Sequence, residues 1–190
     1  ADRILFGLGN PGDRYRSTRH NAGWQALDLL AARHGGEFRR TRLLEGEVAD
    51  IRPDGLRLRL VQPHSFMNLC GPVYRRTLEV FGVEPAEALV VVDDFALPFG
   101  RLRLRAEGSP GGHNGLRSIE EALGGPAYPR LRLGIGPVPE AMDPADYVLC
   151  RYDQDQRRAL PDLLDRAAEG CLLWAREGLS TAMNRVNAGA

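Results

Sequence analysis

A chain of 190 residues with 43% hydrophobic and 26% charged content is long enough to bury one sizeable core and ordinary enough in composition to do so. Its 25 basic and 25 acidic residues cancel, so any nucleic-acid partner has to be held by a local patch, because the chain as a whole carries no basic excess. All 25 basic residues are arginine, which excludes a lysine Schiff base, a phosphate-loop lysine and a serine–lysine dyad together.

No apolar run approaches the roughly 18 residues that span a bilayer, and the segment Ala1-Asp2-Arg3-Ile4-Leu5-Phe6 lacks the basic region and long apolar stretch of a secretory signal. No membrane association is expected, and the cytoplasm is the default location. Cys70, Cys150 and Cys171 are odd in number and widely spaced, matching neither a disulfide framework nor a paired zinc motif, so they read as reduced packing residues. One domain over residues 1–190 is expected.

In chain order, the apolar run 3–8 ends in glycines and has the form of a buried strand feeding a loop. A loop of Gly, Asn, Pro and Arg follows, and from Ala22 the positions Trp24, Leu27, Leu30 and Ala31 recur at helical spacing until Gly35-Gly36 stops them. His34 sits at the end of that helix as a partner for its dipole. Residues 43–51 and 56–62 read as two strands of a hairpin about Pro53-Asp54-Gly55. A helix is predicted over about 67–81, capped by Ser65 and ended by Gly82 and the Pro85 region. Residues 88–92 form another all-apolar strand. Arg101-Leu102-Arg103-Leu104-Arg105 alternates strictly, so one strand face carries guanidinium groups and the other buries leucines. The glycine-rich stretch 108–115 leads into a helix to about Leu123, then a strand at 131–135, where the sheet ends or continues by one short strand. Helices over 154–176 and 179–186, divided by Gly178, complete the chain. The fold class this implies is α/β: a single-domain mixed, partly parallel β-sheet surrounded by α-helices. Ligands of such sheets gather beyond the carboxyl ends of strands, which groups the loops after Leu8, Gln62, Val92 and Arg105.

Those loops hold the chemistry: Asn10, His20 and Asn21; His64, Ser65 and Asn68; Asp93 and Asp94; His113 and Asn114. Hydrolysis of an ester needs a base for water, a carboxylate to fix that base, and donors where the oxyanion develops, and all three types are present. Each residue alone has a plainer reading. Asp93, driven to a strand mouth by Val90-Val91-Val92, has Asp94 as its adjacent rival and could be a turn cap; His20 could cap a helix; the arginine face could be solvated surface. His64 and His113 could line the cleft or bridge loop backbone. A zinc site from His20, His113 and an aspartate is disfavoured, because asparagine, abundant here, is a poor zinc ligand and no His-Glu-x-x-His pair occurs. Gly7-Leu8-Gly9-Asn10-Pro11-Gly12 matches the dinucleotide fingerprint, but Pro11 and a polar stretch delay the helix that should meet a pyrophosphate. Neither a metal nor a cofactor is expected.

Four blocks taken together resemble the bacterial-type peptidyl-tRNA hydrolases: Gly7-Leu8-Gly9-Asn10-Pro11-Gly12 with Thr18-Arg19-His20-Asn21-Ala22-Gly23; Ser65-Phe66-Met67-Asn68; Asp93 in its acidic strand end; and Gly111-Gly112-His113-Asn114-Gly115-Leu116. Leu131-Arg132-Leu133-Gly134-Ile135-Gly136 and Ala182-Met183-Asn184-Arg185 extend the likeness over almost the whole chain. The resemblance implies a cofactor-free monomer that cuts peptidyl-tRNA, with no obligate protein partner. It implies His20 as general base, Asp93 as its orienter and Asn10 at the ester. Asn68, Asn114, Phe66, Met67, His113 and Tyr15 are then expected to bind substrate, and Arg103, Arg105 and Arg132 to contact tRNA phosphate. Three positions depart from the family pattern: Gln62-Pro63-His64-Ser65 where a basic residue and threonine are common, Cys70 where serine is usual, and Ser109-Pro110 before the glycine pair. Two other functions fit the same residues: a relative of this fold that binds structured RNA without cutting it, and a hydrolase of free peptides or amides.

Overall fold

A computed structural model of the chain describes residues 2–189. Seven strands form one sheet: β1 Arg3–Gly7, β2 Arg39–Arg40, β3 Gly46–Ile51, β4 Leu58–Pro63, β5 Ala88–Pro98, β6 Leu102–Arg105 and β7 Arg130–Gly136, in the order β2-β3-β4-β1-β5-β7-β6. The central strands β4, β1, β5 and β7 run parallel, while β2, β3 and β6 add antiparallel edges. The mixed sheet follows from loop length: Pro53-Asp54-Gly55 permits only a hairpin between β3 and β4, whereas the parallel neighbours are joined through helices.

Period-two alternation sends β1 side chains to both faces. Leu5 enters one core with Leu27 and Leu30 of α1 (Ala22–Arg33), Cys171 and Trp174 of α5 (Gln154–Glu177) and Ala182 of α6 (Leu179–Ala188). Ile4 and Phe6 enter the other with Tyr74 of α2 (Cys70–Phe81) and Leu116 and Ile119 of α3 (Asn114–Leu123). Trp174 is fully buried, and it is the largest side chain in the first core. A short helix, α4 (Pro144–Val148), was not anticipated, although Asp143 as side-chain cap with Pro144 behind it is a recognisable start signal.

Several expected boundaries move. The strand expected over 43–51 begins only at Gly46, because 42–45 bend and Leu44 turns its side chain into the core. The helix expected from about Met67 is split: Met67–Leu69 form a 3-10 turn and the α-helix starts at Cys70. Ser65 therefore lies too far back to cap it, and its buried hydroxyl has no partner among the described residues. Strand β5 does not stop at Val92 but runs to Pro98, because β7 continues alongside it: Asp93 pairs with Leu133 and Asp94 with Gly134. Both aspartates thus belong to a strand and not to a loop.

The expected grouping of loops needs one correction. Strand β6 is antiparallel to β7, with Arg105 opposite Arg130, so the chain leaves Arg105 at the wrong end of the sheet. The segment 106–112 climbs back past Arg130 and Arg132, whose guanidinium groups hold the carbonyls of Gly108 and Ser109, until Gly112 lies against the Phe95 ring. At Leu104 the outer backbone of edge strand β6 is covered: the Asn187 side chain in α6 accepts from the Leu104 N–H at 2.8 Å and donates to the Leu104 carbonyl at 3.0 Å.

Where α1 meets the sheet, Gly23 is in such close approach that a Cβ would overlap the Val91 carbonyl oxygen and crowd Leu8 backbone. Gly23→Ala should lower the unfolding free energy in urea by about 3 kcal/mol, the upper end of overpacking costs; a change below about 0.5 kcal/mol would show that this contact does not limit the packing.

Candidate active site

The site forms where β1 and β4 end, beside the middle of β5. After β1 the chain runs through Leu8-Gly9 to Asn10, whose backbone N–H donates to Asn21 Oδ1 at 2.9 Å while its carbonyl accepts from Asn21 Nδ2 at 3.0 Å. Asn21, fully buried, thereby locks the first loop against the turn that bears His20. The Met67 backbone N–H donates to Asn10 Oδ1 at 2.8 Å, which ties in the second loop and leaves Asn10 Nδ2 as the donor available to a ligand.

His20 sits in the 3-10 turn Arg19–Asn21. Arg19 anchors that turn from below: its guanidinium lies 3.8 Å from the Tyr147 ring centroid and donates to the Tyr147 carbonyl and to Gln156 Oε1, each at 3.0 Å. From this turn His20 Nδ1 meets Asp93 Oδ2 at 2.8 Å. The other carboxylate oxygen, Oδ1, meets His113 Nε2 at 2.8 Å, and the two imidazoles stand 4.8 Å apart.

Hydrogen-bond counting assigns the protons. His113 Nδ1 accepts the N–H groups of Gly115 at 3.0 Å and Leu116 at 3.3 Å, as side-chain cap of α3, so it bears no proton; Nε2 does, and donates to Asp93. An ionised Asp93 then accepts from His20 Nδ1–H, so that His20 Nε2 is the ring nitrogen left to face the cleft. Burial by itself raises the pKa of Asp93, but the electrostatic attraction of the two imidazoles and the hydrogen bonds they donate outweigh it and hold the carboxyl well below its ordinary range. Burial lowers the pKa of His113 despite Asp93, keeping that ring neutral.

Asp93 and Asp94 are thus separated by direction. Asp94 Oδ1 accepts the Ala96 N–H at 2.8 Å and its carboxylate pairs with Arg132 at 3.6 Å, away from both histidines. His20, Asp93 and His113 are the group of potential metal ligands found among the described residues. Both nitrogens of His113 are already engaged, and each carboxylate oxygen of Asp93 is taken up by a ring nitrogen at 2.8 Å, so these residues would have to give up their own hydrogen bonds to hold an ion. The donor set fits a proton relay.

The cleft above His20 has a volume of about 310 Å³ and is lined by Asn10, Phe66, Met67, Asn68 and Asn114, with Ala145, Val148 and Leu149 closing one side. Phe66 is 56% exposed, an unusual state for phenylalanine and the mark of an apolar rim. The last three lining residues were not singled out from sequence; the unrecognised α4 supplies two of them. Two expected substrate-binding residues lie elsewhere. His113 is buried behind Asp93, and Tyr15 is packed under the Arg14 guanidinium in the loop before His20, outside the cleft lining. His64 also points away, stacked on Trp24 at 5.5 Å and facing Glu47.

The departures from the family pattern have local partners. Gln62 Nε2 donates to Asp28 Oδ1 at 2.8 Å, the Cys70 thiol donates to the Gly115 carbonyl at 3.4 Å, and the Pro110 carbonyl accepts the His113 N–H at 3.0 Å. Along the sheet edge, Leu102 and Leu104 are buried while Arg101 and Arg105 are exposed and Arg103 is half-buried. Arg103 is the register partner of Arg132, so both use the same face. Arg132, however, is mostly buried and committed to Asp94 and the Ser109 carbonyl, so it does not stand as a free phosphate ligand.

Fold and site define a class: an α/β protein with a carboxylate-oriented histidine base in an asparagine-lined cleft, the equipment of hydrolysis without a nucleophilic side chain. The model of the family described as peptidyl-tRNA hydrolase matches residues 4–190. On that match the chain belongs to the peptidyl-tRNA hydrolase family. A peptidyl-tRNA hydrolase of Chloroflexus aurantiacus is 49% identical over 185 residues, covering 97% of this chain and 98% of that one. One of Roseiflexus sp. is 46% identical over 190 residues, covering 97% and 85%. The solved peptidyl-tRNA hydrolase of Acinetobacter baumannii superposes with a TM-score of 0.91 at 31% identity, over 98% of this chain and 94% of that one.

Because Asp93 ionises more readily in the folded protein than in the unfolded chain, its contribution to stability is complete above the unfolded carboxylate pKa of about 3.9 and is lost as the pH falls below it. Urea unfolding between pH 5 and 2 should therefore show a shallower loss of stability in Asp93→Asn than in the parent; equal slopes would mean that the carboxylate is not held ionised.

Proposed function

We propose that the chain hydrolyses the ester joining a peptide to tRNA, with His20 Nε2 taking a proton from water as that water attacks the ester carbonyl. The observation that carries the reading is the contact of His20 Nδ1 with the buried Asp93 carboxylate, which directs the second ring nitrogen into an open cleft. Asp93 fixes the tautomer and balances the imidazolium that forms. Asn10 Nδ2 and the exposed Asn68 amide are the donors for the developing oxyanion, and the imidazolium returns its proton to the departing ribose oxygen. Asn114, Asn68, Phe66 and Met67 would receive the peptide: amides grip any backbone, and an apolar rim accepts varied side chains. Arg103 and Arg105 would contact tRNA phosphates, in keeping with their place on an edge strand whose other face is buried. His113 supports Asp93 and leaves substrate contact to others.

The reading takes the chain as a monomer with no obligate partner and a single catalytic domain. No helix of the described residues is long and apolar enough to cross a membrane, in keeping with a cytoplasmic enzyme.

An N-blocked aminoacyl-tRNA should lose its acyl group to the enzyme while free aminoacyl-tRNA is spared. His20→Ala should lower kcat by roughly a hundredfold or more; turnover retained in that variant would reject His20 as base, and tRNA binding without release would favour the RNA-binding relative. Arg103→Ala should instead raise KM and flatten its dependence on salt, with kcat little changed. An unaltered KM and salt slope would remove this arginine from the tRNA contact.

A further inference from the structure

His113 and Asn114 belong to a segment that is soft by composition. Between β6 and α3 it contains Gly108, Gly111 and Gly112, all at positive φ, and it has to recross the sheet from the level of Arg130 to that of Asp93. Glycines in this region lose much conformational freedom on ordering. Something outside the segment therefore has to hold it where His113 can reach Asp93.

Arg130 is fully buried. Four of its N–H groups are used, all on carbonyl oxygens: Nε and Nη2 on Tyr128, Nη2 also on Pro126, and Nη1 on Gly108 at 3.0 Å. Its guanidinium stacks 3.7 Å from the Tyr128 ring centroid, and the Tyr128 hydroxyl donates to the Leu116 carbonyl at 3.3 Å. The stacked pair thus grips both ends of the soft segment, Gly108 at its entry and Leu116 in the first turn of α3. A buried guanidinium held only by carbonyls is an expensive way to fill space, since a methionine of similar length would carry no desolvation cost.

We propose that Arg130 is a positioning residue for the reaction: by clamping Gly108 while Tyr128 holds Leu116, it sets the segment so that His113 presents its Nε2–H to Asp93, which in turn orients His20. This rests on the assignment of His20 as base, but the arrangement at His113 can be read independently of turnover. Arg130 is inaccessible to substrate, so its loss acts through the relay.

The test compares the parent with Arg130→Met and Arg130→Lys, measuring steady-state kinetics on N-blocked aminoacyl-tRNA and the ¹⁵N resonances of the His113 imidazole. In the parent, Nδ1 should report an unprotonated acceptor and Nε2 a protonated donor. In Arg130→Met this distinction should collapse toward exchange-averaged values, with kcat reduced roughly ten- to a hundredfold and KM within about twofold. Arg130→Lys, which keeps the cation but reaches fewer carbonyls, should lie between, and it decides the matter where Arg130→Met does not fold. A His113 signature unchanged in a folded Arg130 variant, whether or not kcat falls, overturns the proposal, as does a loss expressed in KM alone. Failure of the His20 assignment would show separately, as turnover in His20→Ala with the His113 signature intact.

Discussion

One buried anion organises the site. Asp93 is shielded from water, and a carboxylate in that position is tolerable only if both oxygens find donors. The two donors are imidazoles from distant parts of the chain, and each needs its own support. His113 reaches the carboxylate as cap of α3, where two backbone N–H groups dictate which nitrogen carries the proton. His20 reaches it from a turn fastened by Asn21 on one side and Arg19 on the other. The central strand β5, flanked by β1 and β7, supplies the rigid mount. Removing any of these supports leaves a charge without a partner, a more costly event than losing an ordinary hydrogen bond.

Arginine does two jobs in this protein. On the β6 edge, at Arg101 and Arg105, it is exposed to solvent. At Arg19 and Arg130 it is buried, laid on a tyrosine face and spent on carbonyl oxygens and one amide. The planar fork suits this second use: it spans several acceptors at once, and its delocalised charge is less strongly hydrated than an ammonium. Both buried arginines fasten segments that flank the catalytic cleft, one before His20 and one before His113.

Much of the architecture was legible from periodicity. The strand at 3–8, the helix from Ala22, the hairpin at Pro53-Asp54-Gly55 and the long C-terminal helices appear close to where spacing puts them. Boundaries failed where tertiary contacts extend or cut a local pattern. Pairing with β7 carries β5 through two aspartates that look like a loop, and the Met67 turn takes three residues from a helix. The catalytic pair could be nominated from residue types at strand ends, with Asp93 preferred to Asp94 by the resemblance, and the geometry adds that Asp94 turns to Ala96 and Arg132 instead. The three substrate and tRNA assignments that moved, His113, Tyr15 and Arg132, share a cause: sequence shows which residues lie in a loop but not which way they face. Arg130 gave no signal at all, because a lone arginine opening a strand looks like surface.

The amide of Asn187 on the outer edge of β6 bears on the nature of the cargo. An enzyme whose substrates carry unfolded peptides is exposed to chains able to add themselves as an extra strand to any open sheet margin. By occupying the N–H and carbonyl of Leu104, Asn187 closes the place where such an addition would begin. A polypeptide approaching that border meets a side-chain amide where it would need free backbone, and the margin is closed to strand addition at that residue.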